Sequence, residues 1–362
     1  MRYRVALTGG GTGGHIYPAL AIASALGAEA ELLYLGSPTG IEARLAPAAG
    51  VRFVGVPSGG ILGKRAADRV RSVWLAARGV GTARRALRAF GPQVVVGTGG
   101  YVAGPVCFAA WLLGVPVVIL NEDAVPGLTN RLLARFARRL LVPHEAAARG
   151  FGAHRGLRVT GNPVREEVLA ATREEGLERF GLDAGRPTVL VTTGSLGAEP
   201  VNRAVDDWLS GGEVPCQVIW ATGPSHYARH ARHEGPGVRV VPYLEAIGAA
   251  YAAADLVICR AGAMTLAEVT ARGLPAILVP SPHVVRGHQL RNARAIEEGG
   301  AAVVIEEGRL TGASLGAAVG ELLGDAGRRE EMAARSLALG RPRALERIAG
   351  EIRAVIGEGA RP

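Results

Sequence analysis

The chain reads as an α/β protein built from two doubly wound, Rossmann-like parallel-sheet domains facing across a cleft. Three observations predict this. Short apolar strands alternate with helix-like segments throughout, several strands run into glycine-rich corners, and the pattern breaks once, at Gly161-Asn-Pro-Val-Arg165, before a second series opens. A length of 362 residues is comfortable for two such domains. The expected boundaries are 1–163 and 164–340, with a terminal helix at about 341–362 packing back on the first domain.

The first strand, Arg4–Thr8, ends in a corner, Gly9–Gly14, with five glycines in six positions, and a helix-like segment follows at Ala19–Leu26. Such a turn leaves bare backbone N–H groups at a positive helix end, a site for a phosphate or another anion. Gly9, Gly11 and Gly14 match the dinucleotide-binding spacing. However, the second strand, Glu31–Leu35, ends in Gly36-Ser37 where an acid should hold a ribose, and Glu42 lies beyond it. A nicotinamide or flavin site is therefore not expected. Strands at Val51–Val56, Gln93–Gly97, Val117–Leu120, Leu140–Val142 and Arg158–Thr160 complete the series, with a second glycine corner at Gly97–Gly104. Val102–Leu120 carries no charge and approaches a membrane span in length, but Gly104-Pro105 and Gly114-Val-Pro116 cut it. A buried helix over 106–113 and a parallel strand are expected instead.

The second series begins with a polar helix, Arg165–Phe180. Strands follow at Thr188–Thr192, Gln217–Ala221, Val238–Val241, Leu256–Cys259, Ala276–Pro280 and Ala302–Ile305. Thr193-Gly-Ser-Leu-Gly197 repeats the strand, turn and helix-start pattern, while Leu345, Ile348, Ile352 and Ile356 line one helical face.

Three cysteines without metal or redox spacing point to a reducing compartment, and a strand starting almost at Met1 leaves no room for a signal peptide. A net charge of +9 asks for an acidic partner. Between Lys64 and Arg88, eight basic residues face one acid, with Ile61, Leu62, Trp74 and Leu75 among them. The stretch is either a solvated helix face or a contact with anionic lipid. Nucleic acid is not expected, since aromatics make up only 5% and no binding motif is present.

His15, directly after the first corner, is either a polar cap or a base beside a phosphate or hydroxyl. Thr265 and Glu268 have capping-box spacing, and the helix they begin suits a pyrophosphate, with the carboxylate free to accept from ribose hydroxyls. His283, Arg286, His288, Gln289 and Asn292 cluster in a polar loop at a strand's carboxyl end, where loops form sites.

Thr12-Gly-Gly-His15, Gly99-Gly-Tyr-Val-Ala-Gly-Pro105, Pro126-Gly-Leu-Thr-Asn130, Gly161-Asn-Pro-Val-Arg165, Gly194-Ser-Leu-Gly-Ala198 and Arg260-Ala-Gly-Ala-Met-Thr…Glu268 occur in this order. The series, spanning roughly residues 5–305, resembles the MurG family of peptidoglycan N-acetylglucosaminyltransferases, glycosyltransferase family 28. The resemblance implies the GT-B fold, no cofactor and no required metal. The implied donor is UDP-GlcNAc and the implied acceptor is lipid I, with transfer at the cytoplasmic face of the cell membrane. Anionic inner-membrane lipids and cell-wall or division proteins are the implied further partners. It places Thr12, Gly13, Gly14 and His15 by the donor sugar and acceptor, and Gly99, Gly100 and Tyr101 on the acceptor side. Arg165, Ser195, Leu244, the run Ala263, Met264, Thr265, Leu266, Ala267 and Glu268, and His288 and Gln289 would take the donor, Leu244 lying by the uracil and Glu268 on the ribose. Two departures stand out. Leu120-Asn-Glu-Asp123 replaces the family's His-Glu-Gln-Asn, putting Asp123 at the donor and making it the second candidate base after His15. Val284-Val285 replaces a common Lys-Asp pair. The rival acceptor is another lipid such as diacylglycerol, and the rival without catalysis is a peripheral lipid-binding scaffold.

Overall fold

The computed structural model describes residues 2–11, 13–59, 66–212, 214–284 and 287–359, leaving the side chains of 66–71 and 73 aside. Thr12, Val285, Arg286 and the stretch 60–65 lie outside the described residues. The chain forms two compact units, Met1–Pro163 with Arg343–Pro362, and Val164–Pro342.

The first unit holds β1 (Tyr3–Thr8), β2 (Ala30–Gly36), β3 (Arg52–Gly55), β4 (Val94–Gly97), β5 (Val117–Leu120), β6 (Arg139–Val142) and β7 (Leu157–Val159). They pair in the order β3-β2-β1-β4-β5-β6-β7, all parallel. The second holds β8 (Thr188–Thr192), β9 (Gln217–Ala221), β10 (Val238–Val241), β11 (Leu256–Cys259), β12 (Ala276–Leu278) and β13 (Ala302–Val304). Their order is β10-β9-β8-β11-β12-β13, again all parallel. These are the two Rossmann-like sheets expected. The inner strands β4, β5, β8 and β11 are buried along their whole length, because helices cover both faces of a parallel sheet. The edge strands β3 and β7 carry Arg52 and Arg158 outward.

Strand order reverses between β1 and β4 and between β8 and β11, so each sheet opens a crevice at those carboxyl ends. The glycine corners lie there: Gly9–Gly14 after β1 and Thr98–Gly100 after β4 in the first unit. Thr193–Gly197 after β8 and Arg260–Gly262 after β11 hold the same places in the second.

Three local expectations need correction. The helix after the first corner spans Gly13–Leu26, so it begins within the glycines rather than at Ala19. Arg165–Phe180 is two helices, Glu166–Ala170 and Arg173–Phe180, because Thr172 turns extended and forms a capping box with Glu175. Thr265 and Glu268 form no such box: Gly262 is the N-cap of the helix Ala263–Ala271 and its first turn has no side-chain cap.

The uncharged stretch is the helix Ala103–Leu112 followed by β5, and no described helix is long and apolar enough to cross a membrane. The terminal helix Ala344–Gly359 buries Ile348, Ile352, Val355 and Ile356 in the core of the first unit, with Ile16, Ile22 and Leu26. Arg139 locks it there, its Nε donating to Glu351 Oε2 at 3.0 Å and its Nη2 pairing with Glu358.

Candidate functional site

In the first unit, Gly13, Gly14 and His15 form the first turn of their helix. His15 is no cap: its Nδ1 lies 3.1 Å from Oε2 of Glu122, in the loop after β5. Thr98 fixes the same residue from the second corner, its hydroxyl donating to the His15 carbonyl at 2.6 Å. The loop carrying Glu122 is tied down by three buried asparagines. Asn121 Nδ2 donates to the Asp123 carbonyl at 2.7 Å, Asn130 Nδ2 to Asn121 Oδ1 at 3.2 Å, and Asn162 Nδ2 to the Glu122 carbonyl at 2.9 Å. The Asn130 and Asn162 motifs thus serve the loop that presents a carboxylate to His15.

Burial pushes Glu122 up to about 7, opposed by His15 and reinforced by Asp123. For His15, burial works downward, but the charge and hydrogen bond of Glu122 outweigh it, and its pKa rises above the ordinary 6.5. An imidazole oriented by a carboxylate is the arrangement of a general base. Asp123 is half-buried beside Glu122 and adds its field to His15.

The two corners meet backbone to backbone at Gly10 and Gly100. Gly99 (φ +106°) and Gly100 (φ +79°) sit in the left-handed region. A Cβ on Gly99 would fall 2.9 Å from His15 Nδ1, and one on Gly100 2.1 Å from the Gly10 carbonyl oxygen. Tyr101 reaches over Gly11 and keeps about a third of its surface exposed, at 37%.

In the second unit, Arg165 brings Nε and Nη2 to Glu268 Oε1, each at 2.8 Å, and Nη1 to Glu167 Oε1 at 3.1 Å. Glu268 is buried and also hydrogen-bonds the buried Tyr251 hydroxyl. Burial raises the Glu268 pKa, while Arg165 and Tyr251 pull against it. Ala263, Met264 and Thr265 form the half-buried first turn of their helix, whose positive end suits an anion. Leu266 points into the core and its N–H is taken by the Gly262 carbonyl at 3.0 Å, while Ala267 stays half-buried. Leu244 also belongs to the core, and its neighbour Tyr243 is the exposed ring. Ser195 is exposed in the turn after β8. Gln289 spends Oε1 on the Ser281 N–H at 2.9 Å, beside the half-buried His288 that opens the helix His288–Glu298.

The structure thus brings His15 and Asp123 to one crevice, and Arg165 and Glu268 to direct contact. The sequence reading missed Glu122 and Tyr251. Glu122 had a signal, an acid at a strand's carboxyl end in the loop already singled out. Tyr251 had none. Among the described residues no group of three or more His, Cys, Asp or Glu side chains could hold a metal ion.

Residues 5–142 match the model of the glycosyltransferase family 28 N-terminal domain, and residues 188–348 that of its C-terminal domain. A protein of Symbiobacterium thermophilum is 44% identical, covering 100% of this chain and 93% of its own. One from Desulfitobacterium hafniense strain Y51 is 43% identical, covering 95% and 97%. Both are named UDP-N-acetylglucosamine–N-acetylmuramyl-(pentapeptide) pyrophosphoryl-undecaprenol N-acetylglucosamine transferase. The crystal structure of Acinetobacter baumannii MurG superimposes with a TM-score of 0.78 at 30% identity, covering 97% of this chain and 99% of that one.

Proposed function

The chain belongs to glycosyltransferase family 28, and we propose from its two crevices how it catalyses N-acetylglucosamine transfer from UDP-GlcNAc to lipid I, giving lipid II for peptidoglycan. The pair of half-buried His15 and buried Glu122, at the switch point of the first sheet between two glycine corners, carries the mechanism. The C4 hydroxyl of the acceptor's MurNAc gives its proton to His15 as its oxygen attacks the anomeric carbon. The bond from that carbon to the β-phosphate oxygen breaks on the opposite face, the configuration inverts, and UDP leaves with the bonding electrons. Charge develops on the sugar as in other oxocarbenium-like transition states. The helix start at Met264 and Thr265 stabilises the leaving diphosphate. Glu268, oriented by Arg165, accepts from the ribose hydroxyls. Glu122 holds the imidazole in register and stabilises the imidazolium.

The test is transfer of labelled GlcNAc from UDP-GlcNAc to a lipid I analogue without added metal. Lipid II product that disappears in Glu268→Gln supports the proposal. Transfer only to diacylglycerol, or UDP-sugar binding without turnover, overturns it.

The enzyme is a peripheral membrane protein by family, and we place its lipid contact on the first unit. The mutually packed helices Ala66–Phe90 and Ala103–Leu112 expose Trp74, Phe108, Trp111 and Leu112, with Arg78, Arg84, Arg85 and Arg88 also exposed. Arg78 stacks over Trp74, its guanidinium carbon 4.7 Å from the ring centre. Cations and partly inserted apolar rings together suit the anionic cytoplasmic leaflet. Co-sedimentation with phosphatidylglycerol vesicles is expected at low salt, weakened at high salt and in Trp111→Glu. Binding insensitive to both would move the contact elsewhere.

A further inference from the structure

Two buried polar side chains take no part in the transfer described above, yet both touch the first glycine corner from below. Tyr34, on β2, is fully buried and its hydroxyl donates to the Gly9 carbonyl at 2.8 Å. Burial, helped by the charges of Glu42 and Glu122, holds its pKa well above the ordinary value, so the hydroxyl stays a donor. Glu42, in the first turn of the helix Glu42–Ala48, is also fully buried. Its Oε1 accepts the Ser37 N–H at 2.9 Å, while Oε2 has no partner among the described residues.

The Glu42 carboxyl end occupies space that three glycines leave open. A Cβ on Gly10 would lie 2.1 Å from Glu42 Oε1, one on Gly40 2.3 Å from Oε2, and one on Gly36 2.5 Å from Cγ. Gly10 is confined on another side as well, where its carbonyl oxygen meets the second corner at Gly100. The Gly9–Gly10 peptide is trans, as are all peptides among the described residues, so the Gly9 carbonyl and the Gly10 N–H point in opposite directions. With the Gly9 carbonyl held on Tyr34, the Gly10 N–H is turned away from the β2 side. The corner therefore cannot rotate its first peptide without breaking a buried hydrogen bond, and cannot sink without meeting a buried carboxylate. His15 begins five residues further on, at the end of the same corner.

We propose that Tyr34 and Glu42 are positioning residues for the transfer reaction, a buried floor that fixes the first glycine corner and hence the placement of His15. Neither touches substrate. The proposal rests on the assignment of His15 as the base. Displacing a catalytic group by about 1 Å can cost up to about 10²-fold in rate, so small movements of the corner are costly.

The experiment measures kcat, KM for a water-soluble lipid I analogue, and the Kd of UDP for Tyr34→Phe, Glu42→Gln, His15→Ala and Ser336→Ala. Ser336→Ala removes a comparable buried hydrogen bond, from its hydroxyl to the Leu274 carbonyl at 2.9 Å in the second unit. It controls for lost stability. Tyr34→Phe and Glu42→Gln are expected to lower acceptor kcat/KM by about tenfold or more, with the UDP Kd unchanged and Ser336→Ala at the native rate. Tyr34→Phe removes one oxygen and nothing else, so it decides the matter alone if Glu42→Gln fails to fold. Native kinetics in folded Tyr34→Phe, or a parallel loss of UDP binding, overturns the positioning role. His15→Ala separates the two levels. Full transfer without the imidazole overturns the base assignment, whereas an inactive His15→Ala beside a fully active Tyr34→Phe overturns only the floor.

Discussion

His15→Ala is expected to lower turnover by about 10²–10⁴-fold, the usual worth of a positioned general base, while the affinity for UDP stays as it was. Glu122→Gln tests the pairing through the pH profile. His15 works as a base only when neutral, so activity rises with pH along an acid limb set by its pKa. Glu122 holds that pKa above 6.5 against the downward effect of burial. Removing the charge leaves burial opposed only by the smaller upward effects of Asp123 and Thr98, and the His15 pKa falls. The acid limb must therefore move to lower pH in Glu122→Gln, even as the maximal rate drops with the loss of orientation. Measuring kcat for both proteins from about pH 5 to pH 9 decides it. A limb that stays in place or moves upward would show that Glu122 does not set the proton affinity of His15.

The second large effect is expected at Glu268. It is buried and takes both Arg165 and Tyr251. Glu268→Gln should weaken UDP binding about 10- to 100-fold, in line with about 1.5–3 kcal/mol for hydrogen bonds to a charged group. The loss should be specific to the ribose. Native protein should prefer UDP over 2′-deoxy-UDP, and Glu268→Gln should bind the two nearly alike. Titration calorimetry with both nucleotides tests this. Equal discrimination in native and variant proteins would remove Glu268 from the ribose.

Most of the secondary structure was legible because parallel strands covered on both faces are written as continuous apolar runs. Val117–Leu120 and Leu256–Cys259 have the same bounds in sequence and structure. The helix starts were less legible. Gly13 and Gly14 read as loop because glycine is a poor helix former, yet they form a first turn. Thr265 and Glu268 have the spacing of a cap, but Gly262 begins the helix three residues earlier. Spacing alone does not say which residue turns extended, and the strand end that feeds the helix settles it. Thr172 and Glu175 carry the same kind of signal and do form the box, dividing what reads as one helix.

By itself the sequence determined the two sheets, their glycine corners and the family, because each is encoded in runs of neighbouring residues. Only the tertiary structure decided which side chains act together. His15 and Glu122 are 107 positions apart, and Arg165 and Glu268 are 103 apart. The crossovers of the parallel sheets bring them within hydrogen-bonding distance. Burial decides the rest: a carboxyl group pushed up to about 7 at Glu122, or a tyrosine kept as a donor at Tyr34, depends on the water excluded by distant parts of the chain. No local pattern of residue types records that exclusion.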